Sequence, residues 1–174
     1  MSNNPIGFFD SGIGGVTLWK EVHSLLPYEN KIYLADSINS PYGGKSDKEL
    51  EIISYKNSEF LLEKGCKLII VACNTATTKC INKLREKFDI PFIGIEPAIK
   101  PAALNTKTGK VGVLATEGTL GSDLFYKTSN KHASSVKIIE QSGRGLVPLI
   151  EQGKMDGDEI KNLLKKYLQI MINQ

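Results

Sequence analysis

Residues 68–76 read LIIVACNTA, and this stretch decides the fold. Its first part, Leu68–Ala72, is a short apolar run that is typical of a strand buried in a parallel sheet. Cys73, Asn74 and Thr75 follow where such a strand ends and a helix begins. Because open α/β sheets bind ligands at the carboxyl ends of their strands, these three residues are candidates for a functional site.

Short β-rich runs alternate along the chain with segments that carry apolar residues at helical spacing. The predicted strands cover residues 6–9, 31–35, 68–72, 91–95, 110–115 and 135–140. Such alternation is typical of βαβ units, in which helices cover both faces of a parallel sheet. A capping box, Ser46 with Glu49, and a stop signal at Gly65 mark the ends of the second helix. The sequence therefore predicts an α/β fold in three αβα layers.

The alternation is interrupted after the fourth predicted strand by Pro97, Pro101 and the polar run 105–109. We therefore predict a first α/β domain over residues 1–98 and a second one over residues 99–174. Most of the predicted strands precede the interruption, and few follow it. The second domain is consequently expected to be incomplete.

The last segment is predicted to form an amphipathic helix, and the chain stops inside it or directly after it. Its apolar stripe comprises Ile160, Leu163, Leu164, Tyr167, Leu168 and Met171. Asp156 or Asp158 is the expected N-terminal cap of this helix. Since a helix of an α/β unit normally leads into another strand, we expect the stripe to lack a neighbour and to favour a homo-oligomer.

The composition indicates a soluble globular protein. The chain has 174 residues, of which 41% are hydrophobic and 24% charged, and its net charge of +3 is too small for a dedicated nucleic-acid binder. Its longest apolar run, 68–73, is far short of the roughly 20 residues that span a bilayer, so no membrane partner is expected. No signal peptide is visible, and the 3 cysteines do not suggest a disulfide framework, so we expect a cytoplasmic location. With 2 histidines and no Cys-x-x-Cys pair, no metal site is expected.

The segment Asp10–Gly15, DSGIGG, directly follows the first predicted strand. Glycines let the backbone approach a ligand, and the N–H groups and dipole at the start of the next helix favour an anion. A tight turn with Asp10 as a helix cap explains the same residues. A dinucleotide site, with Asp36 as the ribose-binding acid, is a further interpretation, but Thr17 stands where that fingerprint requires its third glycine.

Cys73 is the most informative of the cysteines. A helix N-terminus favours the thiolate, which is the reactive form of the side chain, and Asn74 and Thr75 add polar groups beside it. Burial as a structural cysteine is the alternative interpretation, and it also describes Cys66 and Cys80.

Two loops contain further candidates. The loop after the second strand contains Pro41, Tyr42 and Gly43. Turn chemistry explains the proline and the glycine, whereas the tyrosine suits either the wall of a ligand site or an exposed turn. After the fifth strand, Thr116 and Thr119 either cap a helix or bind a carboxylate.

Glu151 is either a solvated surface charge or an acid that faces a cleft.

Together with the motifs above, the segment that contains Glu151 resembles glutamate racemase, of the aspartate/glutamate racemase superfamily. The motifs that carry the resemblance are DSGIGG at 10–15, PYG at 41–43, ACNTA at 72–76, GIEP at 94–97, T-x-x-T at 116–119 and VPLIE at 147–151. Their order and spacing make the resemblance specific.

The resemblance implies a cofactor-independent racemase that interconverts L- and D-glutamate by thiol-based removal of the Cα proton and supplies D-glutamate for peptidoglycan. It implies two similar α/β domains, with an active site in the cleft between them and one catalytic cysteine from each. Cys73 matches the first cysteine, Asp10 the carboxylate that assists it, and Glu151 the acid near the second. The residues that match substrate contacts are Asp10, Ser11, Pro41, Tyr42, Gly43, Asn74, Thr75, Thr116 and Thr119.

Two features depart from the family pattern, which residues 6–153 otherwise follow. The family's second cysteine lies in a Gly-Cys-Thr-His motif, and residues 81–174 contain no cysteine. Many members carry Cys-Pro where residues 142–145 of this chain read SGRG. We therefore expect a truncated racemase that is impaired on its own. A non-catalytic module that binds an acidic ligand or a partner is the alternative.

Overall fold

The computed structural model describes residues 3–133 and 135–174. The chain divides into two compact units, Met1–Glu96 and Pro97–Gln174, and each unit builds its own parallel sheet. Within the described ranges, no helix is both long enough and apolar enough to cross a bilayer.

Among the residues described, the first unit forms a 4-stranded parallel sheet in the order β2-β1-β3-β4. The strands are β1 (Ile6–Asp10), β2 (Lys31–Ala35), β3 (Leu68–Val71) and β4 (Phe92–Gly94). Ile6 pairs with Lys31 on one side and with Leu68 on the other, so β1 lies inside the sheet. The predicted parallel α/β fold is confirmed. Since the strands are parallel, their carboxyl ends meet at one edge of the sheet.

Helices connect these strands as the sequence predicts. They are α1 (Val16–Leu25), α2 (Asp47–Glu63) and α3 (Asn74–Lys87), and short 3₁₀ turns at Ser37–Asn39 and Tyr42–Gly44 lie between β2 and α2. The capping box of Ser46 and Glu49 is confirmed, because each side chain bonds the backbone N–H of the other residue. α2 ends just before Gly65, whose φ of +76° favours glycine.

Helices cover both faces of the first sheet. Phe8 and Ile70 belong to a buried cluster on one face, and Trp19 of α1 packs against it. On the opposite face Gly7 lies against Leu61 of α2, and α3 packs beside α2. The αβα layering predicted for the first domain is therefore confirmed.

The described residues of the second unit contain a 2-stranded parallel sheet of β5 (Lys110–Ala115) and β6 (Lys137–Ser142). The helices are α4 (Ile99–Asn105), α5 (Glu117–Leu120), α6 (Asp123–His132), α7 (Leu146–Glu151) and α8 (Asp158–Ile172). The bounds predicted for the last strand, 135–140, are wrong by two residues. The N–H of Val136 donates to the carbonyl of Ala133 in a turn, so pairing with β5 begins only at Lys137.

Helices also cover both faces of the second sheet. Ile99 of α4 and Phe125 of α6 form a buried cluster on one face, and Val113 of β5 packs against it. On the other face Leu114 packs against a cluster that includes Tyr167 of α8. Each unit is therefore an αβα layer structure with its own core.

Two expectations for the last helix are wrong. The residue before α8 is Gly157, whose φ of +99° favours glycine, and the side chain of neither Asp156 nor Asp158 caps the helix. Asp156 instead accepts a hydrogen bond from the N–H of Gly157 at 2.7 Å. The apolar stripe has a neighbour after all, because Tyr167 is buried against α7 and the sheet, although Leu168 near its far end is 47% exposed.

Candidate active site

The turn that joins β1 to α1 lies at the carboxyl edge of the first sheet. Asp10, the last residue of β1, is buried, and its Oδ2 accepts a hydrogen bond from the N–H of Gly15 at 2.9 Å. Gly15 has no room for a side chain, because a Cβ there would lie 2.7 Å from the Cβ of Ala72. The hydroxyl of Tyr33 on β2 donates to the carbonyl oxygen of Gly12 at 2.8 Å. The N–H group of Gly15, part of the predicted anion seat, thus binds the chain's own carboxylate within a tight turn.

Cys73 lies where β3 leads into α3, as predicted. It directly precedes Asn74, the first residue of α3, and is buried. Its thiol donates to the hydroxyl oxygen of Ser11 at 3.9 Å, within the longer distance that sulfur allows. Asn74 is exposed, whereas Thr75 is buried. The fold therefore brings Cys73 and Ser11, which follow two different strands, into contact.

The surroundings of Cys73 raise its pKa to about 11. Burial is the largest cause because it disfavours the charged thiolate, and the negative charge of Asp10 acts in the same direction. Hydrogen bonds from the N–H of Ala76 and from the hydroxyl and N–H of Ser11 oppose these effects. The N–H of Ala76 in the first turn of α3 thus favours the thiolate, as expected, but burial and Asp10 outweigh it.

Tyr42 is only 1% exposed, so the interpretation of its side chain as part of an exposed turn is wrong. Its hydroxyl donates to Oδ2 of Asp36 at 2.5 Å and accepts from Nδ2 of Asn57 on α2 at 3.0 Å. Burial, followed by Asp36, raises the pKa of Tyr42 far above its ordinary value, so the phenol stays neutral. Asp36 also accepts from Asn39 at 2.8 Å. Because its carboxylate is used inside the chain, the ribose-binding role suggested for Asp36 loses its basis.

Cys66 and Cys80 are free thiols, and both are buried. Burial raises the pKa of each of them. The interpretation of these two residues as structural cysteines is therefore confirmed.

The carboxyl edge of the second sheet carries a smaller set of candidates. Thr116 follows β5, and its hydroxyl accepts from the N–H of Thr119 at 3.3 Å, so the helix-capping interpretation of Thr116 is confirmed. The same hydroxyl donates to Oγ1 of Thr119, which is buried, at 3.1 Å. Glu117 forms an ion pair of 3.1 Å with Arg144 from the loop after β6. Glu151 is the last residue of α7 and is half-buried.

Sequence reasoning missed two residues that hold the first site in place, Tyr33 and Asn57. Asn57 had a detectable signal, because it is a polar residue at helical spacing between Leu50 and Leu61 on the buried face of α2. Tyr33 had none, since an aromatic residue in a strand is ordinarily a core residue. In the part of the chain that the structure describes, no cluster of acidic, histidine or cysteine side chains is suited to a metal ion.

Comparison with known proteins agrees with this architecture. The sequence pattern of the Asp/Glu/Hydantoin racemase family matches residues 22–174. A glutamate racemase of Herpetosiphon aurantiacus is 45% identical over 168 residues, which are 97% of this chain and 66% of that relative. A glutamate racemase of Roseiflexus sp. is 46% identical over 99% of this chain and 64% of its own length. The chain belongs to the Asp/Glu/hydantoin racemase family.

Solved structures of the same family have a similar fold. The glutamate racemase of Escherichia coli, in complex with L-glutamate and the activator UDP-MurNAc-Ala, matches with a TM-score of 0.85 and 36% identity over 95% of this chain and 64% of its own. A glutamate racemase isoform of Bacillus anthracis matches with a TM-score of 0.89 and 31% identity over 100% of this chain and 66% of its own. The chain therefore spans slightly less than two thirds of the length of these relatives.

Proposed function

We propose that this chain is the part of a glutamate racemase that binds the substrate and carries one of its two bases. The proposal rests on family membership and on one observation. Cys73 is buried at the end of an inner strand, in contact with Ser11 and beside Asp10. The whole protein would interconvert L- and D-glutamate without a cofactor and supply D-glutamate for peptidoglycan.

The chemistry explains why a buried thiol is useful. Racemisation removes a weakly acidic proton from Cα and returns a proton to the opposite face, so two bases are needed. In the proposal the Cys73 thiolate takes the proton, and the electron pair of the broken C–H bond moves into the substrate carboxylate group. Since the pKa of Cys73 is raised to about 11, a thiolate formed there is a stronger base than an ordinary cysteine thiolate.

The groups beside Cys73 are suited to control when the thiolate forms. Asp10 disfavours it, whereas Ser11 and Ala76 donate hydrogen bonds that favour it. A substrate ammonium group placed beside Asp10 would offset its negative charge and thereby lower the pKa of Cys73. In this scheme the thiolate forms mainly after the substrate has bound.

The remaining contacts are proposed by matching the family motifs. Hydroxyl, amide and backbone N–H groups would stabilise the charge that builds up on the substrate carboxylate. The proposed substrate contacts are Asp10, Ser11, Pro41, Tyr42, Gly43, Asn74, Thr75, Thr116 and Thr119. Tyr42 would act through its backbone, because its hydroxyl is bound to Asp36. Glu151 is the proposed acid near the second base.

The proposal assigns one thiol base to these 174 residues, since residues 97–174 contain no cysteine. We expect the 174-residue polypeptide alone to exchange the α-proton of glutamate with solvent and to racemise glutamate poorly. The same feature favours the second candidate function, a non-catalytic module that binds an acidic ligand or a partner. The cytoplasmic location and the homo-oligomer stay predictions.

The first test is exchange of the α-proton of L-glutamate in D₂O, followed by proton NMR with the 174-residue polypeptide. We expect the α-proton signal to decay with the unmodified chain and to persist with Cys73→Ala. Cys80→Ala is the matched control, because it removes another buried thiol, on α3, and is expected to leave exchange intact.

The outcomes separate the two candidate functions. Exchange that continues in Cys73→Ala would contradict the role of this thiol. If the unmodified chain binds glutamate but shows no exchange, the non-catalytic module is the better description. Formation of D-glutamate at ordinary enzyme rates, of about 1 s⁻¹ or more, would contradict the expected impairment.

A further inference from the structure

The hydroxyl of Tyr33 contacts the turn beside Cys73 at two points. It donates to the carbonyl oxygen of Gly12 at 2.8 Å. It also lies 2.8 Å from the position that a Cβ on Gly15 would occupy, so it lies beside that residue and leaves no room there for a side chain. Gly12 directly follows Ser11, so the hydroxyl of Tyr33 is attached to the turn next to the residue that bonds the thiol.

Tyr33 is itself held by the sheet. It lies on β2 and pairs with Phe8 of β1 in the parallel register. Its ring packs against the buried cluster that contains Phe8 and Ile70. Because the ring belongs to the packed sheet rather than to the turn, its hydroxyl provides a fixed point for the backbone of Gly12.

We propose that Tyr33 is a positioning residue of the site: its hydroxyl fixes the turn from Gly12 to Gly15 and so holds Ser11 against the sulfur of Cys73. The inference rests on the proposed role of Cys73 as a base. All of the residues that it uses belong to the first unit.

The physical consequence concerns the protonation of Cys73. In the thiol form the sulfur donates to Ser11 at 3.9 Å, and in the thiolate form the Ser11 hydroxyl turns and donates to the sulfur. A turn that is released from Tyr33 holds Ser11 less firmly, so the thiolate loses part of this stabilisation and the pKa of Cys73 rises further.

Asp10 and Tyr42 are titratable groups that interact with Cys73. The backbone of Asp10 is anchored independently of Tyr33, because its carbonyl accepts from the N–H of Asp36 at 2.9 Å, whereas its carboxylate accepts from the N–H of Gly15 in the same turn. Tyr42 is held by Asp36 and Asn57. We expect removal of the Tyr33 hydroxyl to act on the thiol through Ser11, and a double-mutant cycle with Ser11 separates this route from one through Asp10.

The test is Tyr33→Phe, which keeps the ring and removes the hydroxyl. The pKa of Cys73 is followed through the ¹³Cβ resonance of this cysteine, assigned with Cys73→Ala. We expect the pKa to rise by about half a unit, the equivalent of one modest hydrogen bond. Tyr55→Phe is the matched control, because it removes a tyrosine hydroxyl that bonds Glu51 at 3.0 Å, and it is expected to leave the pKa unchanged.

A double-mutant cycle tests whether Tyr33 acts through Ser11. Ser11→Ala is expected to raise the pKa of Cys73, and adding Tyr33→Phe to it is expected to change the pKa no further. An equal shift in both backgrounds, or no shift in either, would overturn the inference. Tyr33→Met, which also lacks the hydroxyl, must shift the pKa in the same direction, and it replaces Tyr33→Phe if that variant does not fold.

The titration also separates this inference from the proposed function. If the unmodified chain shows no exchange of the glutamate α-proton, the proposed function fails, but the titration of Cys73 still reports on Tyr33. If exchange occurs and the pKa of Cys73 is unaffected by Tyr33→Phe, the inference about Tyr33 fails alone.

Discussion

The carboxyl edges of the two units hold titratable side chains in different environments. In the first unit Asp10 and Cys73 are each 6% exposed, and Tyr42 is 1% exposed. In the second unit the side chains of Glu117 and Arg144 are 54% and 80% exposed, although both residues lie near the carboxyl ends of parallel strands, as Asp10 and Cys73 do.

The difference shows that burial, rather than position in a βα unit, makes a polar group chemically unusual. β1 and β3 each have a neighbour on both sides, whereas the described part of the second sheet pairs only β5 with β6. Water screens an exposed ion pair, so it contributes little free energy. A buried thiol or phenol loses its hydration, and its pKa rises.

The largest effect is expected where burial is most complete. Tyr42→Phe leaves the buried Asp36 carboxylate without its shortest hydrogen bond. We expect the free energy of unfolding of the first unit to fall by about 2 kcal/mol. Urea unfolding followed by the fluorescence of Trp19, the single tryptophan, measures this unit. Tyr28→Phe is the control, since the side chain of Tyr28 is 99% exposed. Equal stability of Tyr42→Phe and Tyr28→Phe would contradict the role given to burial.

An intermediate effect is expected from the charge beside the thiol. Asp10→Asn keeps an acceptor for the N–H of Gly15 and removes the negative charge that helps to raise the pKa of Cys73. The pKa should therefore fall from about 11, by roughly one unit, in an NMR titration of the ¹³Cβ resonance of Cys73.

The sign of the accompanying pH dependence follows from linkage. Because the folded protein raises the pKa of Cys73, the contribution of this thiol to stability is complete below the ordinary thiol pKa and is lost as pH rises through 11. In Asp10→Asn the pKa of Cys73 is lower, so the loss of stability is complete at a lower pH than in the unmodified chain. A rise in the pKa of Cys73 in this variant would contradict the electrostatic role of Asp10.

The smallest effect is expected at the exposed edge. Glu117→Gln breaks the ion pair with Arg144, and we expect the second unit to lose less than about 0.5 kcal/mol. Hydrogen–deuterium exchange of the β5 and β6 amides measures this loss, and high salt should have the same small effect on the unmodified chain. Thr116→Ala is the comparison variant, because loss of an N-cap costs about 1 kcal/mol. A larger loss of stability in Glu117→Gln than in Thr116→Ala would contradict the small contribution expected of this exposed ion pair.

Much of the fold followed from local patterns. Apolar runs placed all of the strands, and the capping box of Ser46 and Glu49 placed the start of α2, because these signals act over a few residues. The predicted cap of α8 is wrong because the start of this helix depends on the backbone conformation of Gly157. The predicted bounds of β6 are wrong because they depend on pairing with β5.

The candidate site was only partly predictable for the same reason. The position of Cys73 at the end of β3 was evident from LIIVACNTA, but its contact with Ser11 joins residues 62 positions apart. The burial of Tyr42 depends on Asp36 and on Asn57 of α2. Such contacts form only when the strands and helices have packed.

The sequence by itself determined the parallel α/β architecture, the order of the strands along the chain and the family motifs. Only the tertiary structure decided that the Cys73 thiol is buried beside Asp10, that Tyr42 is an internal hydrogen-bond donor and that Tyr33 holds the turn before α1. The physical reason is that motifs specify residue types and local geometry, whereas pKa values and hydrogen-bond partners depend on burial and on charges from distant parts of the chain.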